Sequence, residues 1–257
     1  MIHTLNHYLI FLEIEYLWAP GSNWLLSANI GLLESKLVDV FAIDVLDRTA
    51  GNSDFVVLKN AASYSNCAVS AEGYATILGA IEAGQLGAGS TAGLCLGSFA
   101  GQEATFGLGN VSYVDGDGSL RTIGALTPFD GVNKNLSDNN LPGAPDTTLN
   151  LAAEYTFPSL GNSSWDLTIR GDYYYQTESF ARIWNVPRDE ISSWENVNLS
   201  LVLANNDTGF QITAFAKNLF DEEVITGAYL QDDSPGLYSN VFLTEPALYG
   251  VTVSKSW

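Results

Sequence analysis

The sequence predicts an all-β chain: an antiparallel transmembrane β-barrel segment of about seven strands with long extracellular loops, a partial barrel. Three observations carry this. The chain ends on Tyr249-Gly-Val-Thr-Val-Ser-Lys-Ser-Trp257, where Tyr249, Val251, Val253 and Trp257 share one face and Gly250, Thr252, Ser254 and Ser256 the other. The same period of two recurs along the chain. Short turns then alternate with longer loops, so one end of the sheet is trimmed and the other decorated. A soluble sandwich can also end on an amphipathic strand, so the terminal segment alone leaves both architectures open.

The first strand spans about Tyr8 to Trp18. Tyr8, Ile10, Leu12, Ile14, Tyr16 and Trp18 lie on one face, with Glu13 and Glu15 opposite. Ala19-Pro-Gly-Ser-Asn23 reads as a turn. The second strand, Trp24 to Leu32, groups Trp24, Leu26, Ala28, Ile30 and Leu32 against Ser27 and Asn29. A long irregular stretch follows over about 39–145, read as one large extracellular loop; its only expected helix lies near Tyr74 to Ala83. The third strand, Thr148 to Phe157, sets Leu149, Leu151, Ala153, Tyr155 and Phe157 against Asn150, Glu154 and Thr156. The fourth sets Trp165, Leu167, Ile169, Gly171, Tyr173 and Tyr175 against Asp166, Thr168, Arg170 and Asp172. The fifth sets Val197, Leu199, Leu201 and Leu203 against Asn196, Asn198 and Ser200. After the turn Ala204-Asn-Asn-Asp-Thr-Gly209, the sixth sets Phe210, Ile212, Ala214 and Ala216 against Gln211, Thr213 and Lys217. A loop of about 25 residues precedes the terminal strand.

The loop rhythm predicts short periplasmic turns and extracellular loops on the other side, with the C-terminus periplasmic. Trp18, Trp24, Phe157, Trp165, Phe210 and Trp257 gather at the short-turn ends, and Tyr8, Tyr173 and Tyr175 near the long-loop ends. Two such belts suit the two interfaces of a membrane. Glu13, Glu15, Glu154, Asp166, Arg170 and Asp172 are then the candidates for a wet lumen. Lys255 falls on the lipid face, close enough to the edge for its amine to reach water.

The composition fits. Of 257 residues, 46% are apolar and only 15% charged, below the ordinary soluble proportion, and no apolar run is long enough for a membrane-spanning helix. The net charge of −19 opposes nucleic-acid binding. Cys67 and Cys95 favour one disulfide, closing a loop worth about 3 kcal/mol and implying an oxidising compartment; two free thiols are the alternative. Neither cysteine has a partner cysteine or histidine at metal-ligand spacing, so no metal and no cofactor is expected. Residues 1–7 lack the basic start, apolar stretch and cleavage site of a secretory signal.

Four segments together resemble the C-terminal part of the β-barrel of TonB-dependent outer-membrane receptors: Leu12-Glu-Ile-Glu-Tyr-Leu-Trp-Ala-Pro20, Leu141-Pro-Gly-Ala-Pro145, Lys217-Asn-Leu-Phe-Asp221 and Tyr249 to Trp257. The resemblance covers about residues 12–257. It implies a place in the outer membrane of a Gram-negative bacterium and uptake of a scarce small-molecule nutrient: a ferric siderophore, cobalamin or a saccharide. It also implies contact with outer-membrane lipid and with the barrel assembly machinery, which would read the C-terminal strand. The TonB complex would be met only through a plug domain that has no counterpart in this sequence. Barrels of this type have about 22 strands, so the whole chain, 1–257, is expected to be a receptor fragment. Leu9 and Phe11 depart from the family pattern by placing apolar groups on the lumen face.

Two other readings stand beside it. One is a small oligomeric outer-membrane pore, the other a secreted β-sandwich binding module using the disulfide-bearing loop. Enzymatic activity is not expected. The acidic residues repeat at the strand period, and no nucleophile elbow, phosphate loop or metal-ligand spacing occurs.

Overall fold

The computed structural model describes residues 6–59 and 66–256. Seven long strands form one antiparallel sheet: β1 (His7–Trp18), β2 (Trp24–Leu37), β3 (Thr147–Phe157), β4 (Trp165–Gln176), β5 (Trp194–Asn205), β6 (Phe210–Lys217) and β7 (Leu248–Lys255). Their order in the sheet is their order in the chain, with β1 and β7 at the ends. The strands pair because each has a period-two pattern and a short turn or longer excursion that returns it beside its predecessor.

The register unites the apolar residues of every strand from β2 to β7. Trp24, Leu26 and Ala28 face Tyr155, Ala153 and Leu151. Tyr155, Ala153 and Leu151 face Ile169, Gly171 and Tyr173. Ile169, Gly171 and Tyr173 face Leu201, Leu199 and Val197. The row continues through Ala214 to Val251. A one-residue slip in any pair would break this face, so the pattern itself fixes the register. Trp24, Tyr155 and Phe157 form edge-on aromatic contacts of 4.7 and 4.5 Å at the short-turn end. Lys255 Nζ lies 4.9 Å from the centre of the Phe210 ring, on the same face.

The opposite face is polar. Thr156 and Thr168 share a cross-strand hydrogen bond of 2.9 Å. Gly250 pairs with Phe215, and a Cβ at Gly250 would meet that ring at 2.4 Å. Glycine therefore lets the Phe215 ring lie against β7.

Residues 37–138, expected to be irregular over 39–145, instead form a compact unit with the segment 230–240. Two hairpins, Phe55–Lys59 with Asn66–Ser70 and Asn110–Val114 with Leu120–Gly124, accompany two helices, α1 (Ala71–Glu82) and α2 (Ser90–Cys95). Ser70 caps α1 by accepting from the Gly73 N–H at 2.8 Å. Val69, Ile77, Leu94 and Leu126 are fully buried together. Cys67 and Cys95 are joined as a disulfide, with Cα atoms 5.7 Å apart, and staple the hairpin to the end of α2. α1 matches the expected helix; α2 does not figure in the sequence reading. The expected loop before β7 likewise holds a hairpin, Ile225–Leu230 with Ser239–Leu243.

Candidate functional site: the polar face of the sheet

Alternation along β2 to β5 brings Ser27, Asn29, Asn150, Arg170, Asp172 and Asn198 to one polar groove of about 420 Å³. Arg170 is its centre. Its Nε and Nη2 donate to Asp172 Oδ1 at 3.0 and 2.6 Å, and Nη1 lies 3.6 Å from Glu154 Oε2. Glu154 stands directly opposite Arg170 in the register, and Asp172 is two residues along the same strand, hence on the same face. The guanidinium is thus held by two carboxylates and has little positive charge left for a ligand.

Of the lumen candidates, Glu154, Arg170 and Asp172 form this cluster. Asp166 shares the face but sits at the short-turn end. There it accepts from the Ser159 N–H at 2.8 Å and from Asn206 Nδ2 at 2.8 Å, tying two turns together. Its position makes it a turn staple and not a groove residue. Glu13 and Glu15 lie on β1, exposed, and no ion pair joins them to Arg170. Tyr249, Val251 and Val253 project on the apolar face of β7 and are exposed, Val251 at 70%. Trp257 lies outside the described residues.

A second cavity, about 460 Å³ and of mixed lining, opens beside β5 and β6. Tyr174 and Trp194, with ring centres 4.8 Å apart, form one wall. Asn196, Lys217, Thr226, Leu243 and Glu245 are among the other lining residues. Sequence reading passed over Tyr174 and Trp194, while Asn196 falls on the polar side of β5 as expected. Their signal was parity: Tyr174 and Asn196 face each other on the polar side, as Gln176 and Trp194 do one pair further on.

The Lys217-Asn-Leu-Phe-Asp221 motif has a structural role at this edge. Asn218 is buried with φ +45°, and its Nδ2 donates to the carbonyls of Glu222 and Glu245 at 3.0 and 2.8 Å. Its Oδ1 accepts from the Glu222 N–H at 3.0 Å. Asp221, at φ +55°, accepts from the Ala247 N–H at 2.8 Å. Together they fasten the exit of β6 to the entry of β7. Among the described residues no group of three or more His, Cys, Asp or Glu side chains could hold a metal ion.

No protein-family model matches the chain, and no curated protein matches its sequence. Solved structures do match its fold. The ferric yersiniabactin uptake receptor FyuA from Yersinia pestis superposes with a TM-score of 0.53 at 9% identity, over 96% of this chain and 23% of that one. The siderophore receptor PiuA from Acinetobacter baumannii gives a TM-score of 0.48 at 11% identity, over 96% of this chain and 21% of that one. The chain thus spans less than a quarter of the length of these receptors. The likeness to FyuA is one of fold: this sheet follows the path of part of a receptor β-barrel.

Proposed function

We propose that the chain forms part of the β-barrel wall of a TonB-dependent receptor in the outer membrane of a Gram-negative bacterium, and that the whole receptor takes up a scarce small-molecule nutrient. The observation that carries this is the two-sided sheet. One face is apolar and uncovered from β2 to β7; the other holds the Glu154–Arg170–Asp172 cluster in a hydrophilic groove. Lipid outside and water inside account for both faces at once. A sandwich would bury the apolar face against a second sheet, yet Leu151 and Leu201, on the interior strands β3 and β5, are 40% and 38% exposed. The fold likeness to FyuA supports the same reading.

In this reading the unit of residues 37–138 is an extracellular excursion between β2 and β3, and its disulfide suits an oxidising exterior. β7 supplies the segment read by the barrel assembly machinery. The test is expression with a signal peptide and the remaining strands of a related receptor, followed by membrane fractionation. Recovery in the outer membrane as a heat-modifiable band supports the proposal. Recovery as a soluble periplasmic protein would overturn it.

A further inference from the structure

The positive charges of this chain are scarce and mostly engaged. Arg170 is held by Glu154 and Asp172, Arg48 by Asp233, Lys134 by Asp47 and Arg121 by Asp117. On the polar face of the sheet one ammonium has no such partner among the described residues: Lys217, at the rim of the cavity walled by Tyr174 and Trp194. The carboxamide of Asn196 is also without a hydrogen bond there, and Trp194 Nε1 is buried with no acceptor. Glu245 lines the same rim.

We propose that this cavity binds a ring-shaped, polyhydroxylated ligand bearing a single carboxylate: a uronic-acid unit of an acidic saccharide. The inference rests on the reading of the polar face as a water-filled lumen and deepens it by naming a ligand class. Each group has a chemical counterpart. The aromatic wall suits the C–H face of a pyranose ring, as apolar and aromatic linings with a few placed polar groups suit small ligands generally. Lys217 pairs with the carboxylate. The Asn196 amide and the Glu245 carboxylate match vicinal hydroxyls, which both donate and accept. Charge counting favours one carboxylate over several. A single ammonium stands beside Glu245 in a chain of net charge −19, and a multiply anionic ligand would meet more repulsion than attraction.

The test is calorimetric titration of the folded full chain in detergent with an aldobiouronate, a disaccharide of one uronic acid and one neutral hexose, and with lactose as the neutral control. Saturable binding of the aldobiouronate is expected, with lactose at least ~10-fold weaker. Lys217→Gln, at an exposed position whose ammonium makes no ion pair among the described residues, is expected to abolish that preference. Trp194→Phe keeps the ring and retains affinity within a few fold, whereas Trp194→Ala loses it. Absence of saturable heat from a chain with native β-sheet circular dichroism would overturn the assignment, as would equal binding of lactose or indifference to Lys217→Gln. Failure of the lumen reading is distinct: it appears as a soluble protein on fractionation, whatever the titration shows.

Discussion

The guanidinium of Arg48 lies 2.5 Å from the carboxylate of Asp233, a residue 185 positions further along the chain. Both side chains are at least nine-tenths buried. Asp233 also accepts from the Asn66 N–H at 2.8 Å, and its carbonyl accepts from Lys59 Nζ at 2.6 Å. One residue of the segment 230–240 thus engages three positions of the disulfide-bearing unit. Asp233→Ala leaves the buried Arg48 charge without its carboxylate, a loss of about 3–5 kcal/mol. The expected outcome is rapid proteolytic cleavage within 230–240 while the strand content by circular dichroism is kept. The double variant Arg48→Met/Asp233→Leu, which removes both charges, should recover much of the protection.

Asn218 makes a comparable fastening in the sheet. Its side chain forms three hydrogen bonds, to Glu222 twice and to Glu245 once, from a left-handed backbone position. Asn218→Ala loses these bonds and strains the backbone, at a combined cost of about 3 kcal/mol. Asn218→Gly keeps the left-handed conformation and should recover about 1 kcal/mol of it. Urea unfolding of the three proteins measures the separation. Equal midpoints for the alanine and glycine variants would show that backbone strain contributes nothing at this position.

These two contacts mark where the sequence was legible. Strands β3, β4 and β6 fall within a residue or so of their expected bounds, because alternation is local and each strand carries its own. β2 was read to Leu32 but runs to Leu37. Beyond Leu32 the alternation is lost, since Leu33 is followed by Glu34, Ser35 and Lys36, and Ser35 and Leu37 are buried by the fold. The Arg170 cluster was legible by parity alone. The cavity at Lys217 was not, because the turn at Asn218 and the hairpin that follows it place Thr226 and Glu245 there. The core around Ile77, Leu94 and Leu126 was hidden for a related reason: it gathers single residues from segments with no shared period.

Acid should loosen the unit of residues 37–138 around Glu103. Glu103 is held below its ordinary pKa by hydrogen bonds from its own backbone N–H, from the Thr127 hydroxyl and from the Leu126 N–H. A carboxyl whose folded pKa is depressed contributes stability that is present above its unfolded pKa and lost as pH falls through the folded one. The loss therefore begins near pH 4.5 and grows below it. Glu103→Gln should flatten this part of the pH profile, followed by hydrogen exchange at the amides of 103–127. A Cβ at Gly124 would stand 2.1 Å from Glu103 Oε1, so Gly124→Ala should displace the carboxylate and flatten the same part of the profile. An unchanged profile in both variants would assign the acid sensitivity to other carboxylates.

The membrane reading makes the two faces of the sheet unequal toward charge. Leu201 is exposed near the middle of β5 on the apolar face, and Thr213, paired with Val202 on the neighbouring β6, lies at similar height on the polar face. Arginine at a lipid-facing midplane position costs about 2–4 kcal/mol, whereas a lumen position tolerates it. Leu201→Arg should therefore reduce the folded, heat-modifiable fraction in lipid vesicles steeply, and Thr213→Arg should leave it nearly unchanged. In a water-soluble sheet the order would reverse or vanish: an exposed leucine replaced by arginine loses only a surface contact, within about 0.5 kcal/mol. The pair thus reads out which face meets lipid without reference to any ligand, and equal tolerance at both positions would remove the physical basis for placing this sheet in a membrane.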